Sequence, residues 1–168
     1  MTNRTTLTEA EIVFAKTQRV ARLATADAGG HPHLVPVCYA FDGTRFFIPL
    51  DEKPKRVDES KLRRVRNIEA RHEASLLIDQ YDDDWSRLGY VLVHGHAGLL
   101  YPEDPLHAQA LLLLRERYVQ YRTMELEKHS VIVITPDSVT SWGPAIASIT
   151  RPGCREGSPY ISESNVST

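Results

Sequence analysis

Residues 19–50 read RVARLATA, DAGGHP, HLVPVCYAF, DGT and RFFIPL. Three apolar, β-branched or aromatic segments are separated only by short turns that contain glycine. Connections this short cannot carry a crossover, so the segments have to pair antiparallel as a meander. Gly29 and Gly30 allow positive φ in the first turn, and Asp42-Gly43-Thr44 is a hairpin signal in the second. A chain that opens this way is committed to a locally paired sheet, not a doubly wound one.

The remaining segments extend that pattern. TEAEIVFAKT, at 8–17, reads as a helix with Thr8 as cap and Glu11 completing a capping box. DEKPKRVDES reads as a loop. KLRRVRNIEARHE has helical spacing, with Leu62, Val65 and Ile68 on the apolar side. ASLLIDQY and YVLVHGHAGLL read as the fourth and fifth strands, and Gly95 and Gly98 inside the latter point to a bulge or a close backbone approach. A helix follows Asp104-Pro105, with Leu106, Ala110, Leu113 and Leu114 as its stripe. HSVIVITPDSVTSWG holds the sixth strand and has room for a seventh. The expected fold is mainly β with α: a six-stranded antiparallel split β-barrel with flanking helices. It occupies residues 1–147, and 148–168, poor in apolar residues, is expected to be a flexible tail.

The formal net charge is -2, so any anion site must come from local clustering, and neither a nucleic-acid nor a membrane partner is expected. No apolar run approaches the roughly 20 residues that span a bilayer. Two cysteines, Cys38 and Cys154, make no disulfide framework, which fits a cytoplasmic protein.

The densest chemical feature is the basic helix. Lys61, Arg63, Arg64, Arg66 and Arg71 are opposed within it only by Glu69, and Lys53, Lys55 and Arg56 precede it. Fixed cations beside a helix start suit a phosphate, and a solvated helix face is the plainer alternative. The pairs His31/His33 and His94/His96 each put two imidazoles on one side of a strand, but no third ligand follows by spacing, so no metal is expected. Asp79, Asp82, Asp83 and Asp84 read as a solvated turn. Trp85 beside them is either a core anchor or a wall for a planar ligand. No hydrolase elbow, Walker loop or zinc-protease motif occurs, so the harder chemistry would belong to a cofactor.

RLATADAGGHPHLVPVCYAFDGTRFFIPL resembles the opening strands of the flavin-binding split-barrel proteins related to pyridoxamine-phosphate oxidase. KLRRVRNIEARHEASLLID resembles their basic helix and following strand. With YDDDWSRLGYV and the final VTSW, the likeness is greatest to the coenzyme F420-dependent branch. The resemblance implies a homodimer with the cofactor between subunits. By position, Lys55, Lys61, Arg63, Arg64 and Asn67 would hold the phosphate. Val35, Pro36 and Val37 would lie along the ring and Ile48 and Pro49 near ring and ribityl chain; Trp85, read as a wall for a planar ligand, joins them as a candidate cofactor-binding residue. The family's Asn/Asp-Pro pair is Arg71-His72 here. The Arg and Lys of the vitamin B6 oxidases' second strand are Val35 and Ala40, which argues against that reaction. The expected activity is hydride transfer between coenzyme F420 and a small organic substrate. The alternatives are an FMN-binding oxidoreductase of the same fold, or a non-enzymatic flavin, deazaflavin or haem carrier, with His94 or His96 as the haem ligand.

Overall fold

The computed structural model describes residues 4–50 and 59–150; Lys53, Lys55, Arg56, Cys154 and the tail from 151 lie outside them. Helix α1 (Glu9–Thr17) begins with the expected capping box: Glu11 N–H donates to the Thr8 hydroxyl at 3.4 Å, and Thr8 N–H to the Glu11 carboxylate at 2.7 Å. That carboxylate is buried and also takes an Arg4 N–H at 2.6 Å. The Arg4 carbonyl in turn accepts Val139 N–H at 2.7 Å, which ties the chain's start to the sheet.

The sheet consists of β1 (Ala21–Ala26), β2 (Pro32–Val37), β3 (Ala40–Phe41), β4 (Phe46–Pro49), β5 (Glu73–Gln80), β6 (Gly89–Leu100) and β7 (Val131–Trp142). Their order is β2-β1-β5-β6-β7-β4-β3, and every pair is antiparallel. Seven strands stand where six are expected, because segment 33–41 breaks after Val37. Cys38-Tyr39 then carries the chain from one edge of the sheet, β2, to the other edge, β3.

That crossing decides the shape. Three Cα steps from Val37 to Ala40 reach at most roughly 11 Å, whereas the edges of a flat seven-stranded sheet would stand roughly 29 Å apart. The sheet therefore curls until its edges meet. Among the described residues β2 and β3 share no ladder, so the barrel remains split along this seam. Tyr39, fully buried, fixes the crossing: its hydroxyl donates to the Ala15 carbonyl at 2.5 Å and its N–H to the Tyr118 hydroxyl at 3.1 Å.

Leu23, Ile48, Ile78, Val93 and Ile132 fill the barrel, with Val65 and Ile68 of α2 (Arg63–Arg71) closing it. A second core lies under α3 (Pro105–Arg117), where Leu111, Leu114 and Tyr118 meet Phe47 and Val131. The buried face of α3 is His107, Ala110, Leu111 and Leu114, not the expected stripe: Leu106 and Leu113 are half-buried. His107 is accommodated because its Nε2 meets the His129 carbonyl at 2.8 Å. A four-residue helix, α4 (Pro144–Ala147), follows the sheet.

The end of the sequence's strand-rich region forms one strand, β7, with a bulge. His94 pairs with Ser138 and Gly95 with Pro136, which leaves Asp137 unpaired. A Cβ on Gly95 would stand 2.3 Å from the Thr135 carbonyl oxygen, while one on Gly98 would meet nothing nearer than 3.9 Å. Of Gly95 and Gly98, only Gly95 is required by close approach. Gly95→Ala is expected to cost about 2–4 kcal/mol of unfolding free energy, and Gly98→Ala less than about 1 kcal/mol. Urea denaturation of both variants checks this; equal costs would contradict the bulge geometry.

Candidate functional site at the barrel seam

Helix α2 places the basic cluster. Val65 and Ile68 face the barrel, and Asn67 lies buried between them with its Nδ2 donating to Thr25 Oγ1 at 3.0 Å. The helix is thus pinned over β1. Lys61 is exposed in a 3-10 turn (Glu59–Lys61) just before the helix. Arg63 is exposed and Arg64 half-buried in the first turn. The helix ends at His72, whose φ of 55° is left-handed and whose N–H donates to the Ile68 carbonyl at 2.8 Å. A proline, with φ fixed near −65°, could not take that conformation, so departing from the family's Asn/Asp-Pro pair changes the cap itself.

Thr25 pairs across the β1–β2 ladder with His33. Burial, together with the charges of Arg63 and Arg64, holds the His33 imidazole below its ordinary pKa. A histidine at the free strand of the seam therefore shares the electrostatic field of the two helix arginines. The sequence puts His33 in a His-x-His pair, and nothing local to it signals an arginine thirty residues away.

Further along the same side of β2, Val35 and Val37 are half-buried against the barrel core that includes Ile48. Ile48 and Pro49 are buried in β4, paired with Ile132 and Val131 of β7. Beyond Pro49, the exit of β4 and the start of α2 enclose a hollow of about 250 Å³ lined by Leu50, Ser60, Val65, Glu69, Leu99 and Tyr101. Arg63, Arg64 and Asn67 thus come to the Thr25–His33 end of the β1–β2 ladder, Val37 lies at its other end against Ala21, and Ile48 and Pro49 stand in β4. Pro36 points the other way and is exposed. Trp85 is 73% exposed in a 3-10 turn (Trp85–Arg87) beyond the far end of β5 from α2, so it is neither a core anchor nor a neighbour of the arginines within one chain. Lys55 lies outside the described residues.

The outer face of the sheet carries a second hollow, of about 370 Å³, lined by Ala24, Ala26, Pro32, Ser75, His94 and Asp137 among others. Ser75 Oγ lies 2.7 Å from His94 Nδ1, and the bulge brings Asp137 to the same wall. Leu34 and Trp142, 64% and 57% exposed, continue this face in apolar character. His96 stacks on His72 at 5.7 Å, and His31 meets Asp27 at 3.1 Å. Among the described residues no group of three His, Cys, Asp or Glu side chains could hold a metal, and no helix is long and apolar enough to cross a membrane. The acidic turn is locally satisfied, with Asp84 accepting the Ser86 N–H at 3.0 Å.

A curled antiparallel sheet, left open at one seam, with an arginine-bearing helix packed against β1 and β6, defines a split-barrel protein. The pyridoxamine 5'-phosphate oxidase family model matches residues 7–143, and the chain belongs to that family. It is 31% identical over 94 residues to a 5a,11a-dehydrotetracycline/5a,11a-dehydrooxytetracycline reductase of Streptomyces rimosus subsp. rimosus, covering 55% of this chain and 63% of that one. The match therefore spans less than two thirds of the reductase. Among solved structures, the fold matches a conserved hypothetical protein from Mycobacterium tuberculosis with a TM-score of 0.65, at 23% identity over 94% of this chain and 98% of that one. The haem storage protein HutZ from Vibrio cholerae matches with 0.62 at 16% identity, over 80% and 93% of the two chains. An F420 reductase matches with 0.58 at 20% identity, over 80% and 98%.

Asn67 is the joint between helix and barrel. Asn67→Ala would leave the buried Thr25 hydroxyl without its donor and is expected to cost about 1–3 kcal/mol in urea unfolding. An unchanged midpoint would show that α2 is anchored elsewhere.

Proposed function

We propose that the protein is a coenzyme F420-dependent oxidoreductase that passes a hydride between the deazaflavin and a small organic substrate. The observation that carries this reading is that the charges of Arg63 and Arg64 act on His33 of β2, the strand at the open seam. There, a phosphate would find fixed cations and a planar ring would find the apolar Val35–Val37 segment. The donor set fits a phosphate-tailed redox cofactor, which would itself supply the hydride chemistry. The family membership and the likeness to a reductase and an F420 reductase support an oxidoreductase of this kind. The chain's own part is to bind the tail, align the ring against an apolar wall and keep water from it. FMN is the second reading, because the same cations would serve its phosphate.

The working unit is proposed to be a two-fold homodimer. Its support is the outer sheet face, where exposed Leu34, Pro36 and Trp142 need cover. Sedimentation at micromolar concentration should give a dimer. A monomer that still binds cofactor would overturn this.

Each charge-assisted contact to the phosphate contributes on the order of 1.5–3 kcal/mol when partly desolvated. Arg64→Ala is therefore expected to weaken deazaflavin binding by roughly 10- to 100-fold, with smaller losses for Lys61→Ala and Arg63→Ala. Fluorescence titration with F420, run beside FMN and haem titrations, measures this. Tighter binding of FMN or haem would replace the reading, and unchanged affinity in all three variants would remove the site.

A further inference from the structure

We propose that His33 is the third member of the Arg63–Arg64 anion site and that its imidazole takes up a proton when a phosphate binds there. The inference rests on the cofactor-site reading above and adds a pH dependence to it.

The geometry comes from both sides of the seam. Asn67 pins α2 to Thr25 at 3.0 Å, and Thr25 is the ladder partner of His33. Arg63 and Arg64 lie one turn before Asn67 on the same helix, and their charges act on the His33 imidazole. Among the described residues, the charged groups acting on His33 are these two arginines from α2. From β1 it faces the neutral Thr25, whose hydroxyl is taken by Asn67. On its own strand, His31 is turned to Asp27 at 3.1 Å. Among the described residues His33 is therefore a half-buried base acted on by cations and by no carboxylate.

Burial and the two guanidinium charges keep the free imidazole neutral at physiological pH. An anion held between the arginines reverses the sign of that field. It favours the imidazolium, so the proton comes from solvent and the imidazole becomes a donor to the anion's oxygen. Affinity is then constant above the bound-state pKa, rises as pH falls through it, and levels off below the free-state pKa. A shift of one pKa unit on binding corresponds to a tenfold difference in affinity between the two limits.

The test is a histidine-resolved NMR pH titration with sulfate as probe, at ionic strength held constant with chloride. Sulfate is a dianion throughout this range, so its own titration does not intervene. The His33 resonance, identified by its loss in His33→Gln, should shift its midpoint upward by about one unit with saturating sulfate. Sulfate affinity should rise roughly five- to tenfold from about pH 8 to about pH 5.5 in the parent and less than about twofold in His33→Gln. If sulfate binds in an Arg64-dependent way but His33 does not move, the inference fails and the cofactor site stands. If Arg64→Ala leaves sulfate binding unchanged, the anion site itself is wrong and the inference falls with it. The parent titration decides the matter even if the variant is unstable.

Discussion

The structure depends on one covalent constraint: two residues, Cys38 and Tyr39, join the opposite edges of a seven-stranded sheet. Hydrogen bonding between strands alone would allow an open, twisted sheet. The short link forces closure, and Tyr39 makes the closure specific. Its side chain reaches the C-terminal end of α1, and its backbone N–H reaches Tyr118 at the end of α3. Tyr118 OH donates onward to the Arg19 carbonyl at 2.8 Å, and the Arg117 guanidinium lies 4.9 Å from the centre of the Tyr39 ring. One buried aromatic thus brings two helices and both sheet edges to a single point, where each polar atom it buries has a partner.

Because the barrel closes through a link and not a ladder, a seam remains, and the seam is where chemistry can be placed. Among the described residues β2 has a partner on one side only. Its inward residues His33, Val35 and Val37 are half-buried, and the charges of Arg63 and Arg64 at the start of α2 act on His33. The result is a local positive field in a chain whose net charge is -2. Global charge says nothing about such a site. What creates it is the pinning of one helix face by Val65, Asn67 and Ile68, which fixes the arginines of the first turn in place.

The features legible in the sequence were those with local causes. The capping box of α1, the start of α3 at Asp104-Pro105, the antiparallel pairing of the early strands and the apolar side of α2 all follow from residues within a few positions of one another. Where the cause is distant, the reading goes astray. HLVPVCYAF has no breaker at Cys38-Tyr39, because the break is imposed by the partners of Tyr39, which lie up to 79 residues away. His107 reads as a polar position on α3 until the His129 carbonyl is seen to satisfy it. For the site, residue types pointed to a phosphate-binding helix. The partnership of Asn67 with Thr25, and of His33 with the arginines, exists only in the fold. Trp85 is adjacent to the acidic turn in sequence, yet β5 carries it away from α2.

The free edge of β2 has one more property. Pro32, Leu34 and Pro36 share one parity along the strand. Prolines are tolerated in a ladder where the missing N–H would have pointed away from the paired neighbour, so this parity faces the open edge. Three carbonyls are therefore offered there with a single N–H, that of Leu34. Another strand needs donors and acceptors in alternation, and it finds almost no donors. The barrel can thus keep an unsealed edge in solution without that edge becoming a template for strand-by-strand aggregation.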